Sequence, residues 1–316
     1  MNRPPRVLFL GMPGNFSWPS LRALLDGGVD VCAVVLPVSP RPDRPYHPPI
    51  TRREQLRSTR SMLPLLNSSL QAGIVQLAWE RQIPLWEVSR MSDPATVSTL
   101  AAYQPDLICV ACFSLRITSS ILDIPRLGAL NVHPSLLPAH RGPVPLFWAF
   151  RQSLQQTGVT IHLMDEGMDT GDILAQSVIE IPDGISYAEL ELHCATRGGE
   201  LLAATVGELY EGHASPVPQD ETKSTYESFP SDEDYIVSVA DWSAPQVYNF
   251  ICGVSDWGGP IKLQVGSEVF AVRKAVSYSL ENICDSQEAA YVWRREELWI
   301  RCKTGWIAVI NPTIFQ

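Results

Sequence analysis

The chain opens with only a short apolar run. Val7-Leu8-Phe9-Leu10 gives way to Gly11-Met12-Pro13-Gly14, too few residues for a membrane helix or a secretory signal. The expectation is a cytoplasmic protein with no membrane partner. Positive charge is scarce: 24 Lys and Arg stand against 34 Asp and Glu, for a formal charge of −10. An acidic surface counts against nucleic-acid binding, which relies on Lys and Arg to neutralise phosphates. Most of the deficit lies late, where residues 211–316 hold 15 acidic and 8 basic side chains, or −7, leaving −3 for residues 1–210. A disulfide framework is missing too. The seven cysteines (Cys32, Cys109, Cys112, Cys194, Cys252, Cys284 and Cys302) are odd in number and scattered. Cys109 and Cys112 have CxxC spacing, but they fall in the apolar run Leu107–Phe113, which reads as a buried strand whose alternation would separate the thiols. No second CxxC completes a zinc set, so no metal is expected. Internal repeats and coiled-coil patterns are absent as well.

What remains is an ordinary globular composition, 45% apolar and 18% charged. Its length suits two domains. Arg6–Gly11 and Val29–Leu36 read as strands around a helix that starts near Ser17, with Ser17 as its cap and Pro19 in its first turn. Ile74–Arg81 and Ala95–Ala102 are helix-like. Leu107–Phe113, Ala129–His133 and Val159–Met164 read as strands, and Tyr187–Tyr210 has helical spacing. This alternation predicts a doubly wound, mostly parallel α/β domain over 1–210. Gly212–Ser231, with Pro216, Pro218 and Pro230, reads as a linker. Short β-rich runs follow at Lys262–Val265, Val269–Val276, Ala290–Trp293, Leu298–Cys302 and Trp306–Val309, which suggests a small β-barrel over 225–316.

The chemistry gathers at strand ends. Asn131 and His133 are two apart on one strand, so amide and imidazole share a face. Pro134 and Pro138 turn the following chain into an irregular loop across the sheet's carboxyl end, where open α/β sheets bind ligands. Asp169 lies in a Gly-rich turn, also after a strand. The three polar groups can be read as an acid–base and oxyanion set. Structural roles for the histidine and a turn-forming role for the aspartate stand beside that reading. Asp165, Asp169 and Asp172 could also be read as a cation site, while His140, His162 and His193 read as structural or surface residues. The stretch Val38–Ser61 carries Arg41, Arg44, Arg52, Arg53, Arg57 and Arg60. It is either a solvated loop or an anion clamp.

Asn131-x-His133-Pro134-Ser135-Leu136-Leu137-Pro138, Arg141-Gly142-Pro143, Gly158-Val159-Thr160-Ile161 and Met168-Asp169-Thr170-Gly171-Asp172-Ile173 together resemble the folate-dependent formyltransferase family. The likeness extends to Leu8–Phe16 with Pro19-Ser20-Leu21, to Pro218–Tyr226 and to Ala240-Asp241-Trp242, and it is greatest toward the methionyl-tRNA formyltransferases. The resemblance implies a Rossmann-like formyltransferase domain over 1–210, a linker at 211–224 and an OB-like barrel over 225–316. It implies formyl transfer from 10-formyltetrahydrofolate, a folate co-substrate, to a primary amine. In that scheme Asn131 and His133 bind the formyl oxygen, and Asp169 orients the histidine or a water and takes the amine's proton. Leu115, Arg116, Ile117, Leu136, Leu137, Pro138 and Asp165 bound the folate slot, with a cis bond at Leu137–Pro138. The acceptor side falls to Gly11, Pro13, Phe16, Arg41 and Arg44.

The acceptor itself stays open. Where methionyl-tRNA enzymes typically carry Gly after the histidine, this chain has Pro134. Pro143-Val144-Pro145 and Phe147-Trp148 depart from the same pattern, the segment after Tyr226 lacks the expected lysines, and residues 211–316 are acidic. Methionyl-tRNA, a sugar or nucleotide-sugar amine, or another small amine would each fit, and so would hydrolysis of the donor by water.

Overall fold

The computed structural model describes residues 3–38, 48–55, 73–284 and 289–315. The chain runs through β1 (Arg6–Gly11), α1 (Ser17–Asp26), β2 (Asp30–Pro37), β3 (Ile50–Arg52), α2 (Ile74–Glu80), β4 (Leu85–Val88), α3 (Pro94–Ala101) and β5 (Leu107–Ala111). It continues through α4 (Ser119–Leu122), β6 (Ala129–His133), α5 (Pro145–Arg151), β7 (Gln156–Leu163), β8 (Ile173–Glu180) and α6 (Tyr187–Glu211). The first eight strands form one sheet in the order β3-β4-β2-β1-β5-β6-β7-β8. β4, β2, β1, β5 and β6 run parallel, while β3 and β7 pair antiparallel. Hydrogen bonds from Leu163 N to Asp172 O and from Ile181 N to Gln155 O close β7 and β8 as an antiparallel hairpin. This is the doubly wound architecture expected from the alternating pattern.

The parallel strands are apolar along their whole length because they are covered on both faces. Val7 to Leu10 and Leu107 to Cys109 are fully buried. Two corrections concern their ends. Ser17 does not cap α1. It is the first helical residue, and its buried hydroxyl accepts from Met12 N (2.9 Å) and donates to Ala111 O (2.6 Å), tying the turn after β1 to the end of β5. β5 stops at Ala111, two residues earlier than read, because Cys112 adopts a left-handed φ of 57°. The alternation argument therefore does not reach Cys112, which is exposed, whereas Cys109 is buried.

By packing, the chain divides into two compact units: residues 1–141, 158–179 and 191–225 form one, and residues 142–157, 180–190 and 226–316 the other. The second unit contains β9 (Ile236–Ser238), α7 (Ala244–Val254), β10 (Ile261–Val265), β11 (Glu268–Val272), β12 (Ala275–Ser279), β13 (Tyr291–Arg294), β14 (Glu297–Arg301), β15 (Trp306–Ile310) and β16 (Thr313–Phe315). They make two four-stranded sheets, β16-β11-β10-β9 and β12-β15-β14-β13, antiparallel except for the β9–β10 pair, in a small barrel-like arrangement. The single run read at Val269–Val276 is two strands, since Arg273 and Lys274 break it between β11 and β12. Phe147, fully buried, holds α5 in this unit through edge and tilted contacts to Trp148, Tyr235, Phe250 and Trp257. The Trp148 indole donates to Ser228 O (2.9 Å). Among the described residues no helix is long and apolar enough to cross a membrane.

Candidate active site

β6 delivers Asn131 and His133 to the carboxyl end of the sheet, and Pro134 ends the strand after the histidine. The loop that follows is clamped from β7 and β8. Thr160 Oγ1 donates to Ser135 O (2.7 Å) and accepts from Leu137 N (3.2 Å), while Gln176 Nε2 reaches both Leu137 O (2.8 Å) and Thr160 Oγ1 (2.9 Å). The Leu137–Pro138 bond is cis, as the resemblance implied. Leu136 lies against Gly158, where a Cβ would come within 2.3 Å of its Cδ2. The motif glycine at 158 is therefore a space requirement.

Asp169 sits in the β7–β8 hairpin loop with a φ of 56°, in the left-handed region that aspartate tolerates better than most side chains. Gly171 allows the same loop to close, because a Cβ there would lie 1.9 Å from Leu163 O. Asp165 Oδ1 accepts from Gly167 N (2.9 Å) and from the Thr170 hydroxyl (2.7 Å), which rigidifies the approach.

The three residues singled out in the sequence come together, and a fourth joins them. Asp169 is about one-tenth exposed; its Oδ2 is 3.7 Å from His133 Nδ1, and its Oδ1 is 3.7 Å from Nε2 of His162. The two imidazoles are buried, with ring centroids 6.4 Å apart at 81°. Backbone carbonyls fix both tautomers, because a carbonyl can only accept. His133 Nε2 must donate to His140 O (2.9 Å), so Nδ1 is the nitrogen that faces the carboxylate. His162 Nδ1 must donate to Leu163 O (2.8 Å). Burial pushes the His162 pKa down to about 4, reinforced by the neighbouring His133, with Asp169 pulling only partly the other way. His162 is thus neutral near pH 7, and its Nε2 lone pair accepts from Asn131 Nδ2 (3.2 Å). That contact sets the orientation of the Asn131 amide.

His162 was read as a structural or surface residue. Its place in Gly158–Leu163, four residues after the motif glycine, gave no signal of its own. Only the β6–β7 register, which sets Asn131 opposite His162, brings it in.

The remaining predicted residues fall as follows. Leu115 and Ile117 are half-buried and pack, with Met164, on the core cluster that includes Leu10, Ile108, Val110 and Ala129, so they offer one apolar wall. Arg116 and Asp165 are exposed, and Leu136 and Pro138 are half-buried beside the buried Leu137. Gly11 ends β1, Pro13 is exposed on the next turn, and Phe16 is buried in the core at 5% exposure. Arg41 and Arg44 lie outside the described residues. Among the described residues no three His, Cys, Asp or Glu side chains converge closely enough to hold a metal.

An amide, an imidazole and a carboxylate at the carboxyl end of a doubly wound sheet form a set that can serve acyl transfer. The formyl transferase family model matches residues 51–206. Methionyl-tRNA formyltransferase of Synechococcus sp. (strain JA-3-3Ab) is 36% identical over 243 residues, 76% of this chain and 68% of the relative. The enzyme of the same name from Pelobacter propionicus is 34% identical over 273 residues, covering 86% and 78%. Among solved structures, the N-formyltransferase from Helicobacter canadensis, in complex with folinic acid and dTDP-3-aminofucose, shares the fold with a TM-score of 0.59 at 14% identity, over 97% of this chain and 99% of that one. The chain belongs to the formyl transferase family and is a one-carbon transferase.

Proposed function

We propose that the chain transfers the formyl group of 10-formyltetrahydrofolate to the amine of methionyl-tRNA in the cytoplasm, with residues 1–210 as catalytic domain, 211–224 as linker and 225–316 as an OB-like domain. The observation that carries the reaction is the grouping of His133 and His162 around the Asp169 carboxylate, with Asn131 joined to it through His162. Support for the acceptor comes from the methionyl-tRNA formyltransferases that match most of the chain. The half-buried wall of Leu115, Ile117 and Met164 and the backbone of Leu136–Pro138 suit a flat pterin ring.

In this reading the uncharged amine attacks the formyl carbon. A nitrogen–carbon bond forms, and the carbonyl π electrons move onto oxygen. Asn131 donates its second N–H to that oxyanion, while His133, whose Nε2–H is held by His140 O, faces the Asp169 carboxylate through Nδ1. The proton shed by the amine passes to Asp169, whose Oδ2 faces His133 Nδ1 across 3.7 Å. The oxyanion then reforms the carbonyl, the carbon–N10 bond breaks, and N10 takes up the proton held by Asp169 as tetrahydrofolate leaves. Acceptor contacts are assigned to Gly11, Pro13, Phe16, Arg41 and Arg44.

A second reading has a small amine, such as an amino sugar, as acceptor. It is favoured by the charge of −7 over residues 211–316. The deciding experiment follows loss of 10-formyltetrahydrofolate by absorbance, with and without methionyl-tRNA, and identifies the formylated product. Loss that requires methionyl-tRNA and yields formyl-methionyl-tRNA supports the first reading. Loss independent of tRNA overturns it in favour of a small amine or of hydrolysis.

A further inference from the structure

We infer that Gln219 is a positioning residue for formyl transfer, acting through Asp169, and that the segment around it holds both sides of the site. The inference rests on the reading of Asp169 as the proton acceptor. Residues 212–231 read as a linker, yet the stretch from Val217 to Thr225 is bound tightly into the first unit. Val217 bridges to Ile173 at the start of β8. The Gln219 side chain then makes four contacts. Its Nε2 donates to Asp169 O (2.7 Å) and to Gly171 O (2.8 Å), and its Oε1 accepts from Arg141 Nε (3.2 Å) and Nη2 (2.8 Å). Both N–H groups and both lone pairs are used, so this amide is saturated.

The polarity of the pocket admits only an amide. Two carbonyls demand donors on one side, and a guanidinium demands an acceptor on the other. A carboxylate at 219 would repel the carbonyls, and an ammonium would face Arg141. Arg141 is 7% exposed, and it is held in turn by Glu221 through Nη1 (3.0 Å) and Nη2 (2.7 Å). The bond to Asp169 O falls on a residue in the left-handed region, a conformation that persists only where its surroundings enforce it. Without Gln219, the Asp169 peptide loses a contact that helps hold its side chain between two imidazoles.

The same segment fixes the opposite wall. Thr225 accepts from His140 N at its hydroxyl (2.8 Å) and from Arg141 N at its carbonyl (2.9 Å), and its own N–H donates to Pro138 O (3.2 Å). His140 O is the acceptor that orients His133. One short stretch thus sets the carboxylate through Gln219 and the imidazole through Thr225.

The test compares Gln219→Ala, Gln219→Glu, Asp169→Asn and the double variant Gln219→Ala/Asp169→Asn in single-turnover formyl transfer, together with donor affinity and melting temperature. Loss of orientation without loss of binding predicts a fall in kcat of roughly 10- to 100-fold for both Gln219 variants, with the KM for the donor within about twofold of the parent. The glutamate variant is expected to be no better than alanine. The double variant should be no slower than Asp169→Asn alone, because Gln219 acts through that residue. Multiplying effects in the double variant, a rise in KM with kcat intact, or kcat within twofold of the parent would each overturn the role of Gln219. Parental activity in Asp169→Asn itself would instead overturn the underlying reading of Asp169.

Discussion

Replacing His162 by Phe keeps the ring and the volume but removes both nitrogens, so the cavity term is small and the effect isolates two hydrogen bonds. One is the bond from His162 Nδ1 to Leu163 O (2.8 Å), the other the bond from Asn131 Nδ2 to His162 Nε2 (3.2 Å). Leaving two such groups short of a partner costs about 1–3 kcal/mol each when fully buried. Leu163 and Asn131 are only half-buried, so the lower end applies, about 2 kcal/mol in total. For a unit of this size that is a drop in melting temperature of about 4–8 °C at neutral pH.

The pH dependence gives the sharper signature. His162 is held neutral in the fold, with a pKa lowered from 6.5 to about 4. The unfolded chain therefore binds an extra proton between these values, and parental stability falls as pH drops through that window. At about 1.4 kcal/mol per unit this removes roughly 3 kcal/mol by pH 4. The Phe variant has no such proton, so its deficit of about 2 kcal/mol should vanish by about pH 5. With its amide no longer fixed, Asn131 should lose part of its value as an oxyanion donor, a fall in kcat of roughly 10- to 100-fold. Urea denaturation from pH 8 to pH 4.5 and single-turnover transfer at pH 7.5 measure both. A stability difference constant across that range, or an unchanged kcat, would refute the tautomer argument.

Three further outcomes are expected. Asp106 is 1% exposed. Its burial raises the pKa, but bonds from Arg6 N (2.8 Å) and the Arg126 side chain (2.6 Å), with the charges of Arg126 and Arg3, outweigh this and lower it below 3.8. Asp106→Asn should thus lose about 1–3 kcal/mol near neutral pH, with the difference from the parent shrinking only as pH falls below 3.8, read by urea titration at pH 7 and pH 3. Gly171→Ala would put a Cβ 1.9 Å from the carbonyl oxygen of Leu163, a backbone atom that cannot step aside, and should cost about 3 kcal/mol or more along with most activity. Gly207→Ala meets nothing within 4 Å inside α6 and should instead stabilise by about 0.5–1 kcal/mol, so paired melting curves distinguish crowding from a general intolerance of glycine replacement.

Strands buried on both faces were the most legible part of the fold. β6 has the expected bounds, Ala129–His133, because a run of apolar residues ends abruptly at a proline. β4 was not read, since Trp86 and Glu87 leave only Leu85 and Val88 buried in four residues. β8 escaped because it is an edge strand with alternating exposure from Ala175 onward and no apolar run. α5 and α7 went unread, although Pro145 sits at the start of the one and Ser243 caps the other in a capping box with Gln246. Within the site, Asn131, His133 and Asp169 were legible because strand ends and turn glycines announce where a sheet opens. His162 and Gln219 were not. Each contributes through a partner more than 30 residues away, His162 through Asn131 and Gln219 through Asp169 and Arg141, and pairing at that range is set by register and loop closure, which no local pattern encodes.

The most direct test of the central claim is single-turnover formyl transfer from 10-formyltetrahydrofolate to methionyl-tRNA by the parent and by Asp169→Asn, with donor binding measured on the same samples. If the carboxylate between His133 and His162 collects the amine's proton, the variant binds the donor as tightly as the parent and forms product at least about 100-fold more slowly. Product formation at the parental rate, with binding intact, would contradict the account.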